Sequence, residues 1–238
     1  MAQFEIKDGV AIIPDGTTEI RELAFWNCTS LESVTIPESV TEIGYGAFDS
    51  CTSLKSITIP NSVTEIGDCV FEGCTSLESI TIPNSVTEIG SEAFKSCSSL
   101  ESITIPNSVT EIGGHAFEDC SSLERVAIPE SVTVIESETF RRCRLLKDII
   151  IPESVTEIGS SAFEECTSLE SITIPKSVTK IEKNAFASCR SLKKVNFQKP
   201  RGVMFKEGAF SYCRDLESFN APTEPIDAFK GCGKLKLK

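Results

Sequence analysis

The sequence predicts a mainly-β repeat solenoid, made by stacking one short unit along a single axis. Two observations carry that prediction. The stretch Cys74-Thr75-Ser76-Leu77-Glu78-Ser79-Ile80-Thr81-Ile82-Pro83-Asn84-Ser85-Val86-Thr87-Glu88-Ile89-Gly90, followed by Ser91-Glu92-Ala93-Phe94, returns every 23 residues. Inside each copy, apolar residues alternate over 77–82, the period of a strand with one face inward. A fixed period makes a chain of 238 residues grow by adding turns, not by enlarging one core.

Taken in order, residues 1–14 depart from the unit. Phe4-Glu5-Ile6 and Val10-Ala11-Ile12-Ile13 flank Lys7-Asp8-Gly9, and Asp-Gly between apolar runs predicts a hairpin. This hairpin is the expected N-terminal cap, because the first turn would otherwise leave an open apolar end. Regular repeats are expected over 15–198, and irregular repeats with a C-terminal cap over 199–238, all within one domain. Phe recurs at 25, 48, 71, 94, 117, 140, 163 and 186, and Cys three residues after each. Spacing then slips: Phe210, Cys213, Phe229 and Cys232 fall out of register near Pro200, Pro222 and Pro225.

Each column has a physical task. Ile80 and Ile82 point inward from a strand whose copies stack as a parallel sheet. Pro83 cannot donate to a ladder, so it marks the strand's end. Ser85 is placed to bond the backbone of the bend. Val86 and Ile89 point inward again, and Gly90 permits a tight corner. Ala93, Phe94 and Cys97 have the spacing of one short helical turn with its apolar side inward. Each turn buries about seven apolar side chains, every larger one stabilising by ~1.5–3 kcal/mol.

The pattern Leu-x-x-Ile-x-Ile-Pro-x-Ser-Val-x-x-Ile-Gly-x-x-Ala-Phe-x-x-Cys resembles the BspA-like leucine-rich repeats over nearly the whole chain. The resemblance implies a curved, right-handed horseshoe with the parallel strands on its concave side. It also implies a non-catalytic protein-binding role, in adhesion or host and cell-surface interaction. Thr-Ile-Pro-Asn-Ser-Val-Thr-Glu-Ile-Gly stands verbatim at 58–67, 81–90 and 104–113. Duplication or consensus engineering both produce such identity. A scaffold without native ligand, or an intracellular adaptor, is therefore the alternative reading.

Composition narrows the function further. The net charge of −12 opposes nucleic-acid binding, which needs clustered Lys and Arg. Residues 1–120 hold 4 Lys+Arg and 19 Asp+Glu, a net of −15, whereas 121–238 hold 19 and 16, a net of +3. No apolar run approaches the ~20 residues of a membrane helix, so no membrane insertion is expected. Met1-Ala2-Gln3-Phe4-Glu5 has no basic n-region and no apolar h-region. Many free cysteines also suit a reducing compartment. A cytoplasmic location follows from the chain itself, and a secreted or surface location from the resemblance.

Ten of the eleven cysteines belong to the repeat column or its late copies. Their equal spacing matches no zinc pattern, and stacked cysteines pointing one way have poor disulfide geometry. No metal or cofactor is expected. Cys69 is outside the column and is expected to be the one accessible thiol. His115, the only histidine, is two turns away, about 10 Å at the strand spacing, too far for a nucleophile pair. The column Glu32, Glu78, Glu101, Glu124, Glu170 and Glu217, interrupted by Lys55, Lys147 and Lys193, reads as solvated charge partly paired along the ladder. No enzyme activity and no catalytic residue are expected.

Departures from the repeat are the best pointer to a partner. The outward strand position held by Ser33, Ser56, Ser79 and Ser102 becomes Arg125, Asp148 and Lys194. The position held by Thr35, Thr58, Thr81 and Thr104 becomes Ala127, Ile150, Asn196 and Asn220. With Lys147, these place a protein-binding site on the concave face at Arg125, Lys147, Asp148, Ile150, Lys194, Asn196 and Asn220. Arg141, Arg142 and Arg144 change the opposite flank. Neutral drift after duplication accounts for such changes equally well.

Overall fold

A computed structural model describes residues 4–198, 202–220 and 226–235. The chain winds as a mainly-β parallel solenoid in which each turn before the last contributes two short strands. The longer strand of each turn has its outer residues exposed and its middle residue buried, as in Ser56–Thr58 and Ser79–Thr81. These two pair in parallel with Ser56 opposite Ser79 and Thr58 opposite Thr81. The second strand has two residues, and Glu65–Ile66, Glu88–Ile89 and Glu111–Ile112 form a continuous ladder. Exact register places identical side chains above one another. The stripe Phe25, Phe48, Phe71, Phe94, Phe117, Phe140, Phe163, Phe186 and Phe210 is fully buried as a result. Successive rings from Phe25 to Phe210 stack with centroids 5.0–5.6 Å apart.

The first and last described coils both depart from the unit. Ile6–Lys7 pairs antiparallel with Val10–Ile12, and Asp8 and Gly9 between them have φ of 51° and 79°. Those angles suit a tight hairpin turn with both central residues left-handed. Val10–Ile12 then starts the parallel ladder against Ser33–Thr35, and Phe4 extends the ring stack onto Phe25. At the other end, Phe219 meets Phe197, Phe210 and Phe229 edge-on. Pro200, Pro222 and Pro225, read as marks of the C-terminal cap, lie outside the described residues.

Three local expectations are corrected. The Ala-Phe-Cys segment is not a helical turn; among the described residues the one helix is the 3-10 segment Ile226–Phe229. Glu92 and Ser96 have φ of 58° and 60°, and a left-handed residue every fourth position breaks a helix. Alternate N–H groups pair instead with the next turn, Phe94 to Ala116 O at 2.8 Å and Ser96 to Glu118 O at 2.7 Å. Those between them close local turns, such as Cys97 N–H to Phe94 O at 3.1 Å. Ser85 does not bond its own bend, where Pro83 O already accepts Val86 N–H at 3.1 Å. Its hydroxyl donates to Val63 O of the preceding turn at 2.6 Å. Gly90 has no left-handed backbone; a Cβ there would lie 2.7 Å from the carbonyl carbon of Gly67. Close approach of the turns explains that glycine.

Candidate functional site

Ladder register brings part of the expected constellation together. Arg125–Ala127 pairs with Asp148–Ile150, so Arg125 lies opposite Asp148 and Ala127 opposite Ile150. Ile150 is 79% exposed, the most exposed large apolar side chain among the described residues. The small Ala127 leaves a depression on one side of it, lined also by Ser102, Arg125 and Asp148. A second depression on the other side is lined by Asp148, Ser171, Thr173 and Gln198. An exposed aliphatic group between two recesses, edged by a cation and an anion, is equipped to desolvate against a protein surface.

Other expected residues divide differently. Lys147 is exposed but bonds Glu124 at 3.0 Å, one turn back. Lys55 and Lys193 do the same with Glu32 and Glu170, each at 3.0 Å. Lys194 lies on the next group of paired long strands, opposite Ser171 and Ser218. Asn196 and Asn220 are drawn into the frame. The Asn220 amide donates to Asn196 Oδ1 at 3.1 Å and Phe197 O at 3.2 Å, and its oxygen accepts Phe197 N–H at 2.7 Å. Asn220 thereby closes the last rung of the ladder, a use of its amide that a period alone does not reveal.

The opposite flank holds an ion network. Glu118, buried to 7% exposure, accepts from Arg141 at 3.1 Å and bonds His115 Nδ1 at 2.9 Å. Arg141 also bonds Glu138 and lies 3.6 Å from Glu164, and Arg142 lies 3.7 Å from Glu165. The set His115, Glu118 and Glu138 has the composition of a metal site, as does Cys69, Glu72 and Glu92. In each the chain supplies its own cation, Arg141 in the first and Lys95 in the second.

Cys69 corrects the reading of it as the accessible thiol. It is 7% exposed, and burial pushes its thiol up to about 11. The half-buried thiols are Cys28 and Cys232 instead. Two features escaped sequence reasoning altogether. Trp26 and Tyr45 are 56% and 52% exposed on the turn side of the first coils. The short strands also stack Glu19 on Glu42, and Glu65 on Glu88 and Glu111. The period contained that second acidic column, hidden behind its inward neighbour Ile89.

Sequence and structure comparisons bear on the whole chain. The model of the BspA type leucine rich repeat region matches residues 10–124 and 115–236. Among solved structures, a T. pallidum leucine-rich repeat protein is 38% identical, with TM-score 0.63, covering 67% of this chain and 77% of that one. A leucine rich cell surface protein from Faecalibacterium prausnitzii A2-165 is 30% identical over 95% of this chain and 77% of its own, with TM-score 0.55. A Bacteroides ovatus leucine-rich repeat protein is 26% identical over 95% and 85%, with TM-score 0.56. No curated protein matches the chain.

Proposed function

This chain belongs to the BspA-type leucine-rich repeat family, and from that premise we propose that it is a non-catalytic module that binds a protein partner. The stack is a right-handed horseshoe with the longer strands concave, as the family resemblance implies. The partner contacts that face at Arg125, Lys147, Asp148, Ile150 and Lys194, with Asn196 and Asn220 holding the ladder beneath it. The exposure of Ile150 between two recesses is the observation that carries this reading. A cell-surface or adhesive setting is supported by the relative described as a cell surface protein. A second reading, an intracellular adaptor, is favoured by eleven cysteines that are all free.

Cross-linking followed by mass spectrometry, using surface and cytosolic fractions of the native host, tests both. A specific partner cross-linked beside Ile150 supports the site, and its fraction of origin decides the setting. The combined reversions Arg125→Ser, Asp148→Ser, Ile150→Thr and Lys194→Ser are expected to abolish that cross-link. Unchanged capture, lost instead on changing Arg141, Arg142 and Arg144, would place the site on the other flank.

A further inference from the structure

We infer that the loop edge carrying Arg144, Arg190 and Arg214 is a second docking surface, for a short acidic segment of a protein partner. It goes beyond the long-strand site and shares no residue with it. The three arginines occupy one position of the repeat, each directly after a column cysteine. In earlier turns that position is held by Thr or Ser, as at Thr52, Thr75 and Ser98. The three bends are alike. Arg142, Ser188 and Tyr212 have φ of 59°, 60° and 59°. Cys143, Cys189 and Cys213 bond the oxygens of Phe117, Phe163 and Phe186 at 3.1–3.2 Å. The arginine side chains therefore leave the frame from equivalent places, and all three residues are exposed. Asp215 N–H donates to Arg190 O at 3.3 Å, which sets Arg214 beside Arg190 on the next coil. Arg144 is two coils before Arg190, with Thr167 between them.

The frame does not need these arginines. A hydroxyl at this position bonds the preceding turn, Ser98 to Thr75 O at 3.4 Å and Thr167 to Arg144 O at 3.3 Å. Arginine forgoes that bond. Among the described residues none of the three forms an ion pair, whereas the cations around them do. Arg142 lies 3.7 Å from Glu165, and Lys147 and Lys193 bond Glu124 and Glu170 at 3.0 Å. Asp215 bonds Lys234 at 2.8 Å, and the charge of Glu217 acts on the same lysine. The acids nearest the row are thus engaged by other cations. Three planar guanidinium forks remain open to carboxylates from outside.

Size and surroundings select the partner's chemistry. Arg144 and Arg214 are three coils apart, each step 5.0–5.5 Å at the ring stack. About five residues of extended chain cover such a span. A longer polyanion, such as a nucleic acid, would run on toward residues 1–120, whose net charge of −15 repels it. Leu145, 43% exposed, follows Arg144 at a place that is Ser76 or Ser168 in other turns. An exposed aliphatic side chain beside a cation fits a peptide that carries both carboxylates and an apolar residue, and adds nothing for a phosphate or sulfate chain.

Calorimetric titration of the whole protein at low salt tests the assignment. The probes are hexaglutamate, a hexapeptide of five glutamates and one leucine, and a sulfated hexasaccharide. Arg144→Thr, Arg190→Thr and Arg214→Thr together return the row to the repeat. They are compared with Lys55→Gln, Lys176→Asn and Lys183→Ser, which remove equal charge elsewhere. The first set is expected to weaken hexaglutamate binding roughly tenfold and the second by less than about twofold. Leu145→Ser is expected to weaken the leucine peptide about threefold and to leave hexaglutamate unchanged. Equal weakening by both sets, or no hexaglutamate binding by the parent protein, would overturn the proposal. Tighter binding of the hexasaccharide than of either peptide, or an equal response of both peptides to Leu145→Ser, would overturn the choice of a protein segment. The long-strand reversions are expected to change this titration by less than about twofold, so failure here is separable from failure of the site at Ile150.

Discussion

The thiol of Cys97 donates to the carbonyl oxygen of Phe71, one turn back, across 3.2 Å. The bond recurs from Cys51 to Phe25, through Cys74 to Phe48, as far as Cys213 to Phe186 and Cys232 to Phe210, at 3.1–3.2 Å. Burial and this repeated donation protect the buried members of the column, Cys51 to Cys213, with the Cys51 thiol pushed up to about 12. Thiol titration of the native protein is expected to label Cys28 and Cys232 first, the two half-buried cysteines. The other nine should react only on unfolding. Early labelling of Cys69, or disulfide-linked peptides from neighbouring turns, would contradict this packing.

Ring stacking sets the cost of core substitutions. Phe94 is fully buried between Phe71 at 5.4 Å and Phe117 at 5.3 Å. Phe94→Ala opens a cavity that neither neighbouring turn can fill without shifting the stack, and is expected to cost ~3–5 kcal/mol. Glu78→Ala alters only exposed charge and is expected to stay within ~0.5 kcal/mol. Denaturant melts of the two variants check the inward and outward assignments, and equal effects would refute them.

Two glycines of one column should respond oppositely. Gly90→Ala pushes a Cβ against Gly67 and Asp68 backbone at 2.7 Å, and is expected to destabilise by ~1–3 kcal/mol. Gly67→Ala meets nothing nearer than 3.7 Å and has no left-handed φ. It should be neutral, or stabilising by up to ~1 kcal/mol through the unfolded chain. Thermal melts that rank the two alike would show that the turns are as close at Gly67 as elsewhere.

Columns fixed by packing were legible in the sequence, because burial repeats with the period. Phe94, Cys97, Ile80 and the hairpin at Asp8-Gly9 all follow from apolar spacing and turn chemistry. Hydrogen-bond destinations were not legible. Ser85 reaches the previous turn, and the residues after Gly90 pair across turns, because neighbours 22–26 residues away compete successfully with local partners. The candidate site was legible only in part for the same reason. Arg125, Asp148 and Ile150 are adjacent through register, which a period predicts. Asn220 has a further role that the period does not reveal: its amide satisfies the strand end at Phe197, a role set by where the ladder stops.

The acidic ladder gives a pH-dependent prediction. Burial, then the charges of Glu65, Glu111 and Asp68, raise the Glu88 carboxyl above its ordinary value. A carboxyl raised in the folded state binds its proton more tightly there than in the unfolded chain. Its contribution to stability is therefore fully present below the ordinary carboxylate pKa and is lost as pH rises through the raised value. Near neutral pH the ionised Glu88 works against the fold. Glu88→Gln removes that charge while keeping the shape, so it is expected to stabilise near neutral pH by ~0.2–1 kcal/mol, toward the lower end for a side chain still partly in water. The gain should shrink toward zero as the medium is acidified below the carboxylate range, where the parent's Glu88 is itself neutral. Added salt should shrink it as well, by screening Glu65 and Glu111. Urea melts of parent and variant at neutral and acidic pH decide the matter. A gain that is independent of pH would mean that Glu88 is unfavourable for reasons of packing, and a loss at neutral pH would mean that its carboxylate has a partner on this face.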